Sequence, residues 1–269
     1  MTPPPELLSA TPEDPWAEGP PPANGRAAPT PTPAPAPPAA AVPPREPRSA
    51  HAGAPLVAVC GLAGGAGTTL LAWLIALESL DAGDDPVLLT ELPACAGGLA
   101  ALTSASSAPA GLTVDAGTAA EHAPAADAEQ LARALADARA TQARVVVDCG
   151  RLHDAVAQRV LADASHVVWT VPAGPAAGET ARALLLDSGL VPPPGGALEL
   201  LAVVATRPAT LSHDAARALR DVVAERAERL VLVPHVRSLA RGGAGRARAR
   251  PLSSAIGAIA GPLRRTPSP

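Results

Sequence analysis

The stretch Val57–Leu77, VAVCGLAGGAGTTLLAWLIAL, decides the fold expected for this chain. It opens with residues typical of a buried strand, passes through Gly64, Gly65 and Gly67, and ends in an apolar run long enough for a helix. A glycine-rich turn between a strand and a helix directs backbone N–H groups and the positive end of the helix dipole towards an anion. Thr69 adds a hydroxyl that could coordinate Mg²⁺. The stretch therefore predicts a phosphate-binding turn.

This turn departs in two places from the phosphate-loop consensus G-x-x-x-x-G-K-[ST]. Counting back from Gly67, the first glycine of the consensus falls on Leu62, and Gly61 stands one position too early. Thr68 occupies the position of the lysine. An ordinary tight turn, whose glycines only permit close packing of strand and helix, is therefore an alternative interpretation.

Short β-branched runs alternate with helical stretches along the rest of the chain, from Pro55 onwards. The predicted strands are Leu56–Cys60, Val87–Thr90, Leu112–Val114, Arg144–Asp148, His166–Val171, Leu198–Ala205 and Arg229–Val233. The predicted helices are Thr68–Leu80, Asp127–Arg139, Pro175–Ser188 and one that follows Ser212. Consecutive apolar residues, as in Val145–Val147, are typical of strands covered on both faces. The pattern predicts an α/β fold: a mostly parallel, twisted sheet of about seven strands with helices on both faces.

Residues 1–53 have a different composition from the rest of the chain. Of the 33 prolines in the chain, 17 lie in the first 50 positions, where they are interleaved with Ala, Thr and Gly. Such a segment buries too little apolar surface to fold, so we expect a disordered Pro/Ala-rich arm. It is interpreted as a solvated tail or spacer, with a ligand for a proline-binding partner as the alternative. The folded domain is expected over residues 54–265.

Composition also excludes several classes of protein. The longest apolar run, near Leu70–Leu80, is shorter than the roughly 20 residues of a membrane helix. The N-terminus has neither a basic start nor an apolar run, so we expect no secretory signal. Three scattered cysteines show neither disulfide nor zinc spacing, and we expect a cytoplasmic protein. The chain contains no lysine, so all 21 basic residues are arginines.

The order of these segments resembles the MinD/ParA group of P-loop ATPases over nearly all of residues 55–265. The deviant loop of that group, K-G-G-x-G-K-T-T, aligns with Ala63–Leu70, and its second-strand pattern, V-L-L-x-D-x-D-P, aligns with Val87–Ala94. The other segments that resemble the group are Gly97–Leu99, Leu112–Gly117, Arg144–Cys149, Val167–Pro172, Val203–Pro208 and Val231–Pro234. The missing lysine makes the chain most similar to the atypical CpaE/TadZ and actinobacterial septum-site members.

The resemblance implies a site for ATP or ADP with Mg²⁺. The residues that it assigns to phosphate are Gly64, Gly65, Ala66, Gly67, Thr68 and Thr69. It places Thr69 and Asp148 nearest the metal, with Asp148 as the Walker B carboxylate, and Thr206 and Arg207 near the base. It also implies a homodimer and protein partners in division, partition or secretion and pilus assembly.

Several charged residues of the group are missing here. Thr68 and Ala63 occupy the two lysine positions, and Glu91 and Pro93 occupy the two aspartates of the second-strand pattern. Removing one preorganised donor commonly lowers a rate by about 10²–10³. We therefore expect a nucleotide-binding protein that is catalytically impaired, with an active ATPase and a ligand-free scaffold as alternatives. Arg207 or Arg151 could supply positive charge if either side chain reaches the site.

The C-terminal segment, from about residue 237, is rich in arginine. From Leu230 onwards it has no acidic residue and carries Arg237, Arg241, Arg246, Arg248, Arg250, Arg264 and Arg265. Such charge asymmetry is compatible with weak contact with DNA or a membrane surface. A solvated tail with a packing helix over Leu252–Leu263 is the alternative, because that stretch is only weakly apolar.

Overall fold

The structure is a computed structural model. The residues it describes are 54–81, 86–92, 98–105, 108–116, 124–142, 144–151, 155–188, 190, 193, 196–205, 207, 210–235 and 250–263. The strands are β1 (Leu56–Gly61), β2 (Val87–Glu91), β3 (Leu112–Asp115), β4 (Arg144–Arg151), β5 (His166–Pro172), β6 (Leu198–Val204) and β7 (Arg229–Val233). The helices are α1 (Thr68–Asp81), α2 (Gly98–Ala105), α3 (Pro124–Thr141), α4 (Ala155–Asp163), α5 (Ala177–Arg182), α6 (His213–Glu225) and α7 (Arg250–Leu263), and a π-helical turn (Ala183–Asp187) continues α5. The arm predicted over residues 1–53 lies outside the described residues.

All seven strands form one sheet in the order β3-β2-β4-β1-β5-β6-β7. Every pairing is parallel, so all the carboxyl ends of the strands lie along one edge. The central strand β1 is fully buried between β4 and β5. The strands β2, β3 and β4 lie on one side of β1, and the strands β5, β6 and β7 lie on the other. In sheets of this kind, ligands bind at the carboxyl edge where the chain changes direction.

Helices cover both faces of the sheet. Side chains of α1, α2 and α7 pack with one face, and those of α3–α6 pack with the other. The large side chains of Trp73 and Trp169 are buried in these two separate clusters. The predicted α/β fold with about seven strands is therefore confirmed.

A buried ion pair ties β5, β6 and α6 together. The Glu199 carboxylate accepts hydrogen bonds from Trp169 Nε1 at 2.7 Å and from Arg226 Nε at 2.9 Å. The guanidinium of Arg226 also lies 5.6 Å from the centre of the Trp169 ring. Its Nη1 donates to the carbonyls of Leu185 and Leu190, so the pair also secures the π-helical turn. Because each buried charge has a partner here, removing either one would leave the other uncompensated.

The most consequential irregularity of the sheet lies between β1 and β4. Val59 is paired with Asp148, but Gly61 is paired with Arg151, so β4 has one extra residue between the two pairs. Gly150, inside this bulge, has φ 54°, a conformation that glycine adopts without strain. Bulges often redirect side chains beside functional sites.

No helix in the ranges that the structure describes is long and apolar enough to span a membrane.

Candidate phosphate and nucleotide site

The loop between β1 and α1 lies at the carboxyl edge of the sheet, against the end of β5. The backbone amide of Leu62 donates to the Thr170 carbonyl at 2.8 Å and fixes the start of the loop. Gly65 and Gly67 have φ values of 70° and 74°, which bend the backbone sharply. Gly64 and Gly65 are exposed, whereas Ala66 is buried. The loop therefore presents glycine backbone to solvent while its underside is packed.

Thr68 is the residue at the lysine position, and its side chain points under the loop. It is 8% exposed, and its hydroxyl oxygen lies 3.0 Å from that of Thr170. A Cβ atom added at Gly61 would lie 2.7 Å from Thr68 Oγ1, so the close packing requires glycine there. With its hydroxyl turned inward, Thr68 has only its backbone amide, in the first turn of α1, left to donate to an anion.

Asp148 and Thr69 come together where β4 passes the start of α1. Asp148 Oδ1 accepts a hydrogen bond from the Gly150 amide at 2.9 Å. Oδ2 is buried and, within the described residues, meets no donor in hydrogen-bonding geometry, although the Thr69 hydroxyl lies close enough to act on the carboxylate. Burial raises the pKa of Asp148 above its ordinary value, while hydrogen bonding from Thr69 and Gly150 acts in the opposite direction and the charge of Glu91 adds to the rise. The carboxylate is thus poorly solvated and incompletely paired.

Glu91 is a further acidic residue of this site. It lies opposite Asp148 in the β2–β4 register, and its carboxylate accepts a hydrogen bond from the Leu99 amide at 2.8 Å. A Cβ atom at Gly98 would lie 3.0 Å from Thr69 Oγ1 and 3.4 Å from Glu91 Oε2. Glu91 therefore stabilises the first turn of α2 beside Thr69. The second-strand pattern marks its position, but its role depends on α2, a helix that sequence reasoning missed.

The oxygen atoms present fit a magnesium ion. Mg²⁺ prefers carboxylate and hydroxyl oxygens and usually keeps water and phosphate ligands as well. The unpaired Oδ2 of Asp148 and the hydroxyl of Thr69 supply two such oxygens. The described ranges contain no group of three His, Cys, Asp or Glu side chains that could hold a metal by themselves. A phosphate ligand would therefore have to complete the coordination.

An open pocket of about 670 Å³ lies at the same edge, beside the ends of β5, β6 and β7. It is lined by Ala173, Val203, Ala205, Thr210, Leu211, Leu232, Val233, Pro234 and His235. Its walls are mainly apolar, which suits a flat aromatic base. At the usual strand spacing, β6 and β7 lie about 10–14 Å from β1. Of the two residues expected near a base, Arg207 is exposed and Thr206 lies outside the described residues.

The remaining candidates contribute little to this site. Cys60 and Cys149 are buried and pack in the same apolar cluster. His166 is buried beside Ser165, with 2.8 Å between Nδ1 and Oγ. Pro93 lies outside the described residues.

The C-terminal helix α7 is packed rather than free. The buried residues that it shares with the cluster of α1 and β7 are Leu252, Ala255, Ile256, Ile259 and Leu263. Arg144 Nη2 donates to the Leu263 carbonyl at 3.1 Å. This apolar side is therefore covered by the protein. The side chains of the seven C-terminal arginines lie outside what the structure describes.

The sheet order, the glycine-rich loop after β1 and the carboxylate on β4 together define an all-parallel α/β fold with a loop and a buried acid at its carboxyl edge. No protein-family model and no curated protein sequence matches the chain. Among solved structures, the chain is similar to the septum site-determining protein MinD complexed with Mg-ADP from Pyrococcus horikoshii OT3, at 11% identity and a TM-score of 0.58, over 79% of this chain and 96% of that one.

Two further solved structures show the same likeness. A ParA family ATPase from Chlorobium tepidum TLS has 16% identity and a TM-score of 0.56, over 77% of this chain and 98% of that one. A chain of the MinC:MinD cell division complex from Aquifex aeolicus has 16% identity and a TM-score of 0.53, over 78% of this chain and 96% of that one. The fold is therefore MinD/ParA-like, as expected from the order of the sequence segments.

Proposed function

We propose that this protein is an atypical MinD/ParA-like nucleotide-binding protein that is impaired in hydrolysis. The observation that carries the proposal is the buried Oδ2 of Asp148, which has no donor in hydrogen-bonding geometry and lies beside Thr69, two residues after the glycine-rich loop. A buried carboxylate oxygen without a donor is costly, and a cation at this place would offset that cost. The solved MinD from Pyrococcus horikoshii, which has this fold, is complexed with Mg-ADP.

The loop and α1 would hold the phosphates through backbone groups. The amides of Gly64–Gly67 and of the first turn of α1 act as donors that do not depend on side chains. Thr69 and Asp148 would hold Mg²⁺, which supplies charge neutralisation of the phosphate oxygens when bound. The apolar pocket at the ends of β6 and β7 would take the base.

We propose that hydrolysis is impaired because the lysine that would contact the phosphates is missing. Phosphoryl transfer depends on positioned positive charge, and Thr68 offers a buried hydroxyl where the group has a lysine. No lysine elsewhere in the chain can replace it. Loss of one preorganised donor lowers a rate by about 10²–10³, while binding through backbone amides persists. We therefore propose binding without efficient turnover.

Binding without turnover suits a positioning or recruitment role. We propose that the protein acts as a homodimer with protein partners in division, partition or secretion and pilus assembly. Weak contact of the Arg-rich C-terminal segment with DNA or a membrane surface is part of the same proposal. The solved complex from Aquifex aeolicus contains MinC and MinD, so this fold forms a cell division complex in that organism.

Titration calorimetry with ATP and Mg²⁺, followed by a turnover assay, tests the proposed function. We expect measurable binding that Asp148→Ala weakens, and phosphate release no faster than that of Asp148→Ala. Turnover that Asp148→Ala abolishes would identify an active ATPase instead. Absence of binding at millimolar nucleotide would identify a scaffold without this ligand.

A further inference from the structure

Arg151 is the last residue of β4, three positions after Asp148, and the β-bulge decides where its side chain goes. The extra residue in β4 puts Arg151 opposite Gly61, at the point where β1 enters the loop. Without the bulge, the partner of Gly61 would be Gly150, one position earlier. The bulge therefore brings a charged residue to the rim of the loop.

The guanidinium of Arg151 lies over the exposed part of this loop. A Cβ atom added at Gly64 would lie 3.9 Å from both Cζ and Nη1 of Arg151. The guanidinium therefore lies beside the position that a side chain at Gly64 would occupy. Arg151 is itself exposed, and its donors are accessible to a ligand from solvent.

Arg151 also differs from other arginines in its partners. Within the described ranges, Arg151 forms no ion pair with a carboxylate. The arginines that do form such pairs are Arg133, Arg159, Arg182 and Arg226. The nearby carboxylates of Asp148 and Glu91 are buried. Without a positive charge beside them, they would repel an anion. The loop thus has one accessible cation beside it in the described structure, and it comes from β4.

We propose that Arg151 binds the phosphates of the nucleotide in place of the absent lysine. This inference rests on the proposed function and assigns the phosphate contact to a residue outside the loop. A guanidinium is always charged and can donate two parallel hydrogen bonds to a phosphate. Because Arg151 is exposed and reaches the loop from its rim, it contributes affinity rather than the rigid placement that fast phosphoryl transfer needs.

The test compares Arg151→Ala with Arg159→Ala by titration calorimetry, using ATP with Mg²⁺ and inorganic triphosphate as separate probes. Arg159 is an exposed arginine of α4 with a weak partner in Asp163, so its loss provides a matched change of charge. We expect Arg151→Ala to weaken binding of both probes about 10- to 100-fold, the loss typical of a hydrogen bond to a charged group. Arg151→Lys should recover part of the affinity.

Melting temperatures without ligand provide the folding control. Arg151→Ala should melt as the natural chain does, and Arg151→Gln, which keeps the aliphatic stem, replaces it if the alanine variant does not fold. Equal affinities of the Arg151 and Arg159 variants would overturn the inference while leaving the proposed function standing. Failure of the natural chain to bind either probe would overturn both.

Discussion

The hydroxyl oxygens of Thr68 and Thr170 lie 3.0 Å apart, and this contact joins the glycine loop to β5. Thr170 Oγ1 also lies 3.3 Å from the Cys60 carbonyl, so the hydrogen bonds continue to the end of β1. The residue at the lysine position therefore holds the loop to the sheet from below. Its chemistry is structural, and an anion above the loop would meet only its backbone.

Thr68→Val should lower stability without lowering nucleotide affinity. Valine keeps the shape of threonine but removes the hydrogen bond to Thr170, which corresponds to about 0.5–1.5 kcal/mol of unfolding free energy. Urea denaturation measures the loss, and calorimetry with ATP measures the affinity. Thr69→Val is the control, because it should weaken Mg²⁺-dependent binding. A large drop in affinity for Thr68→Val would show that its hydroxyl contacts the ligand.

Asp148→Asn should raise the melting temperature of the ligand-free protein at neutral pH. Burial raises the pKa of Asp148 above 3.8, so the folded state binds this proton more tightly than the unfolded state does. Stability therefore falls as the pH rises from 3.8 through the raised pKa, and the penalty persists above it. Asparagine, being neutral, removes the penalty.

The pH dependence and the ligand response check this explanation. The advantage of Asp148→Asn should shrink as the pH falls through the raised pKa and vanish below 3.8, where both states are protonated. The variant should also lose the stabilisation that Mg²⁺ with ATP provides. A variant that melts below the natural chain at neutral pH would contradict the expected penalty.

Glu199→Ala should destabilise the protein by about 3–5 kcal/mol, the cost of leaving a buried charge without its partner. It removes the acceptor of both Arg226 Nε and Trp169 Nε1. The double variant Glu199→Leu with Arg226→Met should recover much of the loss, because it leaves no unpaired charge. Chemical denaturation of Glu199→Leu, Arg226→Met and the double variant measures the coupling free energy between the two residues. Additive losses of stability would mean that the ion pair does not cause the destabilisation.

Ala205→Trp should block the open pocket at the ends of β6 and β7. Ala205 lines this pocket, and its amide donates to the Val233 carbonyl at 2.9 Å, so the backbone position is fixed. We expect ATP affinity to fall at least about tenfold, a loss of 1.4 kcal/mol, while inorganic triphosphate binds as before. Equal losses of affinity for ATP and for inorganic triphosphate would mean that this pocket does not bind the base.

Much of the sheet could be predicted because its strands are buried on both faces. Runs such as Val145–Val147 are apolar at consecutive positions, and all seven predicted strands are present with similar bounds. The helices α2 and α4 were missed. The helix α2 is short, and one of its stabilising groups is the carboxylate of Glu91, which belongs to another element.

The candidate site was harder to predict, because its geometry depends on distant residues. The sequence pattern brings Thr69 and Asp148 to one edge, since Thr69 follows β1 and Asp148 lies towards the carboxyl end of its parallel neighbour β4. The direction of the Thr68 side chain depends on Thr170, 102 residues away. The position of Arg151 depends on one extra residue in β4, and no local pattern reveals a bulge of this kind.

The close approach at Gly61 joins the end of β1 to the start of α1 and to β4. Any side chain there would collide with Thr68 Oγ1 at 2.7 Å and would lie 3.1 Å from the Gly150 carbonyl. A side chain at this position would therefore force Thr68 or the backbone of β4 to shift, whatever the chemistry of the site. Packing alone is thus a sufficient reason for glycine at position 61, and this glycine by itself is no sign of phosphate chemistry.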